Sequence, residues 1–257
     1  MLDRLIAGVG TAAVLVCLAL IWSARAGIPR DVYVSELGAD GMPSAGVFEV
    51  ALLLLVVGGL AVAWAGRRIR SSAPVLRLWA PSVSLAVASL LFLVASQVPC
   101  TAGCPVPQFG PDLSWQDLGH VTAATLAFAF AAWAMLQCAF AVGHRAIRRF
   151  SLVAALSVAL IAAAGGLMSV FRFYPEIGSR LEFVATTIGI AWVAVYGLAL
   201  LIGTSAFASH GTEQVVGEDD ELPDLGVVPV DPAALGLVGD GDELVVALPD
   251  DEGPLRA

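Results

Sequence analysis

Four ionisable side chains stand where apolar stretches of this chain begin or end: Glu49, His120, Arg172 and Glu182. A carboxylate beside a histidine can exchange a proton as general acid and base. An arginine can hold a phosphate or carboxylate in its planar fork of donors. Converging in one outward-facing cavity, the four would make a site for lipid head-group hydrolysis or transfer. Glu49 or Glu182 would then be the acid or base, His120 its partner and Arg172 the anion holder. Asp31 and Glu36 lie in the connection ahead of Glu49 and complete the set of candidate ligand-binding residues. Each residue also has a structural account. Glu49 falls in the early turns of a helix, where the dipole favours an anion. Asp117 can cap the helix that carries His120. Ser179-Arg-Leu-Glu182 reads as a capping box, which would use Glu182 on backbone donors. Arg172 can reach the membrane interface and pair with Glu176.

A second candidate pair is Cys100 and Cys104, in Val98-Pro-Cys-Thr-Ala-Gly-Cys-Pro-Val-Pro107. Two cysteines this close, in a loop facing an oxidising compartment, are expected to form a disulfide. So short a ring removes little unfolded-state entropy, so its use would be to shape the loop. The alternative is two free thiols. A metal site is not expected there, because the sequence offers no second ligand pair nearby. Cys17 and Cys138 lie inside apolar stretches and read as small packing residues. Of the three histidines, only His120 is on the expected outer side; His144 and His210 are elsewhere. That excludes a His-rich zinc hydrolase and a bis-histidine haem. P-loop, dinucleotide-binding and nucleophile-elbow motifs are absent. No cofactor is expected.

The elements that must position these residues follow from composition. The chain is 58% hydrophobic and 14% charged, with a mean hydropathy of +0.86. A soluble domain carries roughly 25% charged residues. Six stretches reach the roughly 20 apolar residues a membrane helix needs. They are Leu5–Ser23, Val47–Ala65, Leu78–Val98, Leu118–Val142, Phe150–Phe171 and Leu181–Phe207. None shows the alternation of a barrel strand. The expected fold is all-α, an integral bundle of six transmembrane helices over residues 1–207. Small residues (Gly58, Gly59, Ala162, Gly165 and Gly166) are expected to let helices approach closely.

Arginine sets the orientation. Arg67, Arg68, Arg70 and Arg77 fill the second connection, and His144, Arg145, Arg148 and Arg149 the fourth. The other three connections are acidic when taken together. The basic connections are therefore expected on the cytoplasmic side of the plasma membrane, with both termini. A competing reading takes Ala24-Arg25-Ala26 as a signal-peptidase site, which would leave five spans; the apolar run before it is longer than a usual signal core.

Residues 208–257 differ in kind. They hold thirteen acidic residues against one arginine, whereas the preceding residues carry a balance of +3. Rich in Asp, Glu, Gly and Pro and without an aromatic residue, this tail is expected to be disordered and cytoplasmic. It offers a route to a protein partner, or a screen for the seven arginines of the two basic connections against anionic lipid. A net charge of −9 leaves no basic surface for nucleic acid. The absence of lysine beside abundant Ala, Val, Leu, Gly and Arg points to a GC-rich bacterial genome.

Tyr33-Val-Ser-Glu-Leu-Gly38 followed by Phe48-Glu49, Gly119-His120, and Gly178-x-x-x-Glu182 together resemble the bacterial six-helix membrane proteins of domain-of-unknown-function family 998. The likeness spans about residues 5–207. The first loop is also faintly similar to the Frag/DRAM/Sfk type of six-helix proteins, which are linked to lipid handling. Those proteins carry an amide where this chain has Glu49. The resemblance implies a fold and no activity. Function is therefore read from the polar outer face: a non-enzymatic membrane protein binding or organising lipid or a partner at the outer leaflet. The head-group enzyme is the alternative. A small-solute transporter comes third, because the interiors of the helices carry only Ser, Thr and Gln as polar groups, among them Ser89, Ser96, Gln97, Thr125, Gln137 and Ser157.

Overall fold

The computed structural model describes residues 1–102, 104, 114–142, 145–171 and 174–210. These all fall within the compact unit Met1–Glu213. The acidic tail, Arg172 and His144 lie outside the described residues.

Six α-helices follow in chain order: α1 Leu2–Ala26, α2 Ala45–Ala65, α3 Pro81–Gln97, α4 Trp115–Ala139, α5 Arg145–Val170 and α6 Pro175–His210. A 3₁₀ turn, Ser35–Gly38, lies between α1 and α2. Among the described residues there is no strand, only a single antiparallel bridge between Ser71 and Ala141. Helices are what long apolar runs must form, because each backbone N–H and C=O is then satisfied within its own segment. Five of the six are long and apolar enough to cross a membrane. The exception is α3, whose 17 residues cover roughly 25 Å, short of a hydrocarbon core of about 30 Å.

Proline explains that shortening. The apolar run from Leu78 to Val98 is longer than the helix within it. Pro81 takes the first helical position and forces the residue before it out of the α region, so Ala80 is extended, with ψ 150°. Pro99 acts likewise on Val98, whose ψ is 75°.

Consecutive helices pack as neighbours, and α6 closes the bundle against α1. α1 and α2 approach closely, backbone to backbone. A Cβ on Gly58 would lie 2.8 Å from Gly10 O and 2.7 Å from the Val14 side chain. Gly165 serves the contact between α5 and α6 in the same way, with Leu181 3.1 Å from an added Cβ, whereas nothing lies within 4 Å of one on Gly166. Cys17 and Cys138 are free thiols buried in the bundle.

The two ends of the bundle are chemically distinct. At one end Arg67 pairs with Asp3 at 3.1 Å. There the α2–α3 connection also meets the end of α4, through Ser72 N–H to Phe140 O at 2.8 Å and Val142 N–H to Arg70 O at 3.1 Å. This end gathers the basic second connection with the N-terminus. The opposite end gathers the α1–α2 connection, the α3–α4 connection and the start of α6, and holds the candidate residues.

Candidate functional site

The polar end is built by local rules first. Ser114 caps α4, accepting from Asp117 N–H at 3.4 Å. Asp117 was the expected cap. Its carboxylate instead reaches back to the α3–α4 connection and accepts from Thr101 N–H and Thr101 Oγ1–H, each at 2.8 Å. The expected capping box at Ser179 does not form either. Pro175 starts α6 four residues earlier, its fixed φ suiting the first helical position. Ser179 is therefore inside the helix and donates to Glu176 O. Glu182 is released from capping and turned across the bundle, where it accepts from Ser35 N–H at 3.4 Å.

Asp31 and Glu36 are engaged in ion pairs. Asp31 accepts from Arg180 at 2.8 Å and from Arg25 at 2.9 Å. The Arg180 hydrogen bond, helped by both guanidinium charges, holds the Asp31 carboxyl below the usual carboxylate range. Glu36 is buried under Arg30, which donates to it. These contacts tie the α1–α2 connection to α1 and α6.

His120 is 5% exposed, on the first turns of α4. Its Nδ1 is 3.0 Å from Ala95 O and 2.8 Å from Val98 O. Both oxygens are carbonyls of the final turn and C-cap of α3, which have no partner within that helix. Nδ1 is thereby the protonated nitrogen, and Nε2 is left as an acceptor. This partnership was not legible in the sequence, because the donor and its acceptors are more than twenty residues apart.

Cys100 and Cys104 are joined as a disulfide, with Cα atoms 4.9 Å apart. Cys100 O accepts from Asp40 N–H at 2.9 Å, binding the two loops together. A ring nitrogen of His120 lies within 4.8 Å of both sulfurs, a third potential ligand beside the pair that the sequence did not reveal. With the sulfurs bonded to one another, no three-ligand set is available to a metal; it would arise only on reduction of the disulfide.

Two cavities meet at His120. The first, about 70 Å³, is an apolar slot lined chiefly by α2, α3, α4 and α6, with Ile21 of α1 and Val158 of α5. Four of its five polar lining side chains, Ser35, His120, Glu182 and Thr186, lie toward one end; the fifth, Ser89, lies midway along α3 and is bonded back to Leu85 O, while Phe128, Met135 and Val193 carry the slot into the bundle. The second, about 270 Å³, is polar and lined by Asp40, Glu49, Gln97 and His120 among others. Phe48, Leu52, Ala95 and His120 line both. Glu49 and Glu182 thus approach the same histidine from different cavities. Glu49 is exposed, on the early turns of α2. Ser35, read only as part of the Tyr33–Gly38 motif, and Thr186 were not among the candidate site residues of the sequence reading. The one signal for Thr186 is its position four residues after Glu182, on the same face of α6.

A family profile described as "Protein of unknown function (DUF998)" matches residues 6–199. No curated protein and no solved structure matches the chain, so the faint likeness to the Frag/DRAM/Sfk type gains no support.

Proposed function

The chain belongs to the DUF998 family of proteins of unknown function, and from that premise we propose that it is a non-enzymatic, amphiphile-binding protein of the plasma membrane. The observation that carries this reading is the apolar slot with most of its polar groups toward one end. Such a gradient matches a molecule with an apolar chain and a polar terminus. Volume limits what enters. About 70 Å³ is room for on the order of five waters, so the slot takes a polar terminus and the adjoining part of one chain, not a whole two-chain lipid. The polar cavity beside it gives the terminus an aqueous approach past Glu49 and Asp40.

The proposal includes six spans, with α3 as a short sixth crossing and both termini cytoplasmic. What supports it is the grouping of the N-terminus with the arginine-bearing second connection at one end of the bundle.

The test is photolabelling of the purified full chain with a single-chain amphiphile bearing a diazirine in its chain. Labels on Phe48, Phe128 and Met135, lost on Ala131→Phe, are the expected result. Labels confined to outward-facing side chains such as Val153 and Leu160 would overturn the reading. Head-group chemistry is the second reading, favoured by one feature: His120 Nε2 is left as an acceptor where the two cavities meet. Turnover of a bound amphiphile that stops in His120→Gln while labelling persists would establish it.

A further inference from the structure

Two other buried hydroxyls that face no polar side chain, those of Thr11 and Ser89, show the usual arrangement from which Thr186 departs. Thr11 Oγ1 donates to Ala7 O at 2.8 Å and Ser89 Oγ to Leu85 O at 2.9 Å. Each is the ordinary back-bond of a helical hydroxyl to the carbonyl four residues earlier. Thr186 Oγ1 makes no such bond and has no partner among the described residues, although Thr186 is only 7% exposed. An unpartnered buried hydroxyl carries the cost of desolvation, so a group that fills the slot gains by meeting it.

Glu182 stands one helical turn before Thr186, and both line the slot. Side chains four residues apart on a helix are neighbours, about 5–6 Å between Cβ atoms, so one small polar group can reach both. The carboxylate accepts a proton donor. The Thr186 hydroxyl, with no acceptor of its own, donates. The group that satisfies both must donate one hydrogen bond and accept another. An alcohol does this. An ammonium cannot accept. An ionised carboxylate cannot donate, and it or a phosphate would bring negative charge to Glu182 with Glu36 close behind and no lysine or arginine among the described lining residues. From Glu182 to Val193 the lining of α6 continues for eleven residues, roughly 16 Å. A void of about 70 Å³ along that length is narrow.

We propose that the slot binds a neutral single-chain alcohol, its hydroxyl bridging Glu182 and Thr186 and its chain running along α6 toward Val193. This rests on the amphiphile-binding reading and names the ligand class for the same site.

Thermal-shift titrations of the full chain in mild detergent, with hexadecanol, hexadecylamine, hexadecanoic acid and hexadecyl methyl ether, test it. The expected result is that hexadecanol stabilises most and at the lowest concentration. Thr186→Val should weaken hexadecanol about fivefold, the worth of one neutral hydrogen bond. Thr186→Ser, which keeps the hydroxyl, should restore it. Glu182→Gln should bring hexadecanoic acid up toward the alcohol. Equal or tighter binding of the acid or amine by the wild-type chain would overturn the alcohol assignment and leave the amphiphile reading standing. An undiminished hexadecanol response in a folded Thr186→Val chain would do the same. If none of the four compounds shifts the melt of the wild-type chain, the amphiphile reading itself fails.

Discussion

Asp31 shows how a candidate ligand residue can be absorbed into structure. Its carboxylate holds Arg25 of α1 and Arg180 of α6 together, and its proton affinity is lowered mainly by the Arg180 hydrogen bond. A carboxyl whose folded pKa is depressed stabilises the fold above its unfolded pKa, about 3.9. That stabilisation is lost as pH falls through the folded value. Melting temperatures of the wild-type chain in detergent should therefore fall on acidification below about pH 4. Asp31→Asn should melt lower than wild type at neutral pH and converge with it in acid. Parallel curves at every pH would remove this role. The sequence identified Asp31, Glu36, Glu49, His120 and Glu182 as residues of one membrane face, and the structure gathers them at one end of the bundle. Their partners were not legible, because an ion pair such as Asp31–Arg180 joins residues 149 positions apart. Local signals misled where a stronger one lay close by: Pro175 overrides the capping box at Ser179, and Ser114 takes the cap assigned to Asp117.

Helices were the most legible level, since runs of about 20 apolar residues admit few alternatives. Five extend a few residues past at least one end of their apolar run, as polar first and last turns join them, and α3 is shortened by its two prolines. Buried polar groups fix how α3 meets α4. Gln137 is fully buried and donates to Leu76 O at 3.0 Å and Trp79 O at 2.9 Å, while its oxygen accepts from Ser84 Oγ at 2.7 Å. Ser84 in turn accepts from Trp79 Nε1 at 2.7 Å. The sequence showed Gln137 only as a polar residue in an apolar run. Gln137→Leu keeps much of the volume and strands two carbonyls and a hydroxyl. It should cost about 1–3 kcal/mol, read as a lowered melting temperature with faster amide exchange over 76–84. An unchanged melt would mean that water reaches those groups.

At the scale of the molecule, the bundle has one basic end and one acidic end, and most of the polar lining of its apolar slot lies toward the acidic one. The charge asymmetry was readable in the sequence from arginine alone. The slot was not, because it is lined by side chains of all six helices and appears only when they pack. Orientation carries its own prediction. Single cysteines placed at Arg68 and at Asp40, with the four native cysteines replaced by alanine, should react from opposite sides of sealed vesicles. Asp40→Cys should label from outside intact cells and Arg68→Cys only after permeabilisation. Labelling of both from outside would break the proposed six-span topology.

The central claim, that the slot holds an amphiphile, is tested most directly by native mass spectrometry of the full chain released from its own membrane in mild detergent. The account predicts a noncovalent mass increment of one single-chain, uncharged molecule, absent from Ala131→Phe, which fills the slot. A wild-type spectrum showing only the bare chain, or an increment that Ala131→Phe retains, would contradict it.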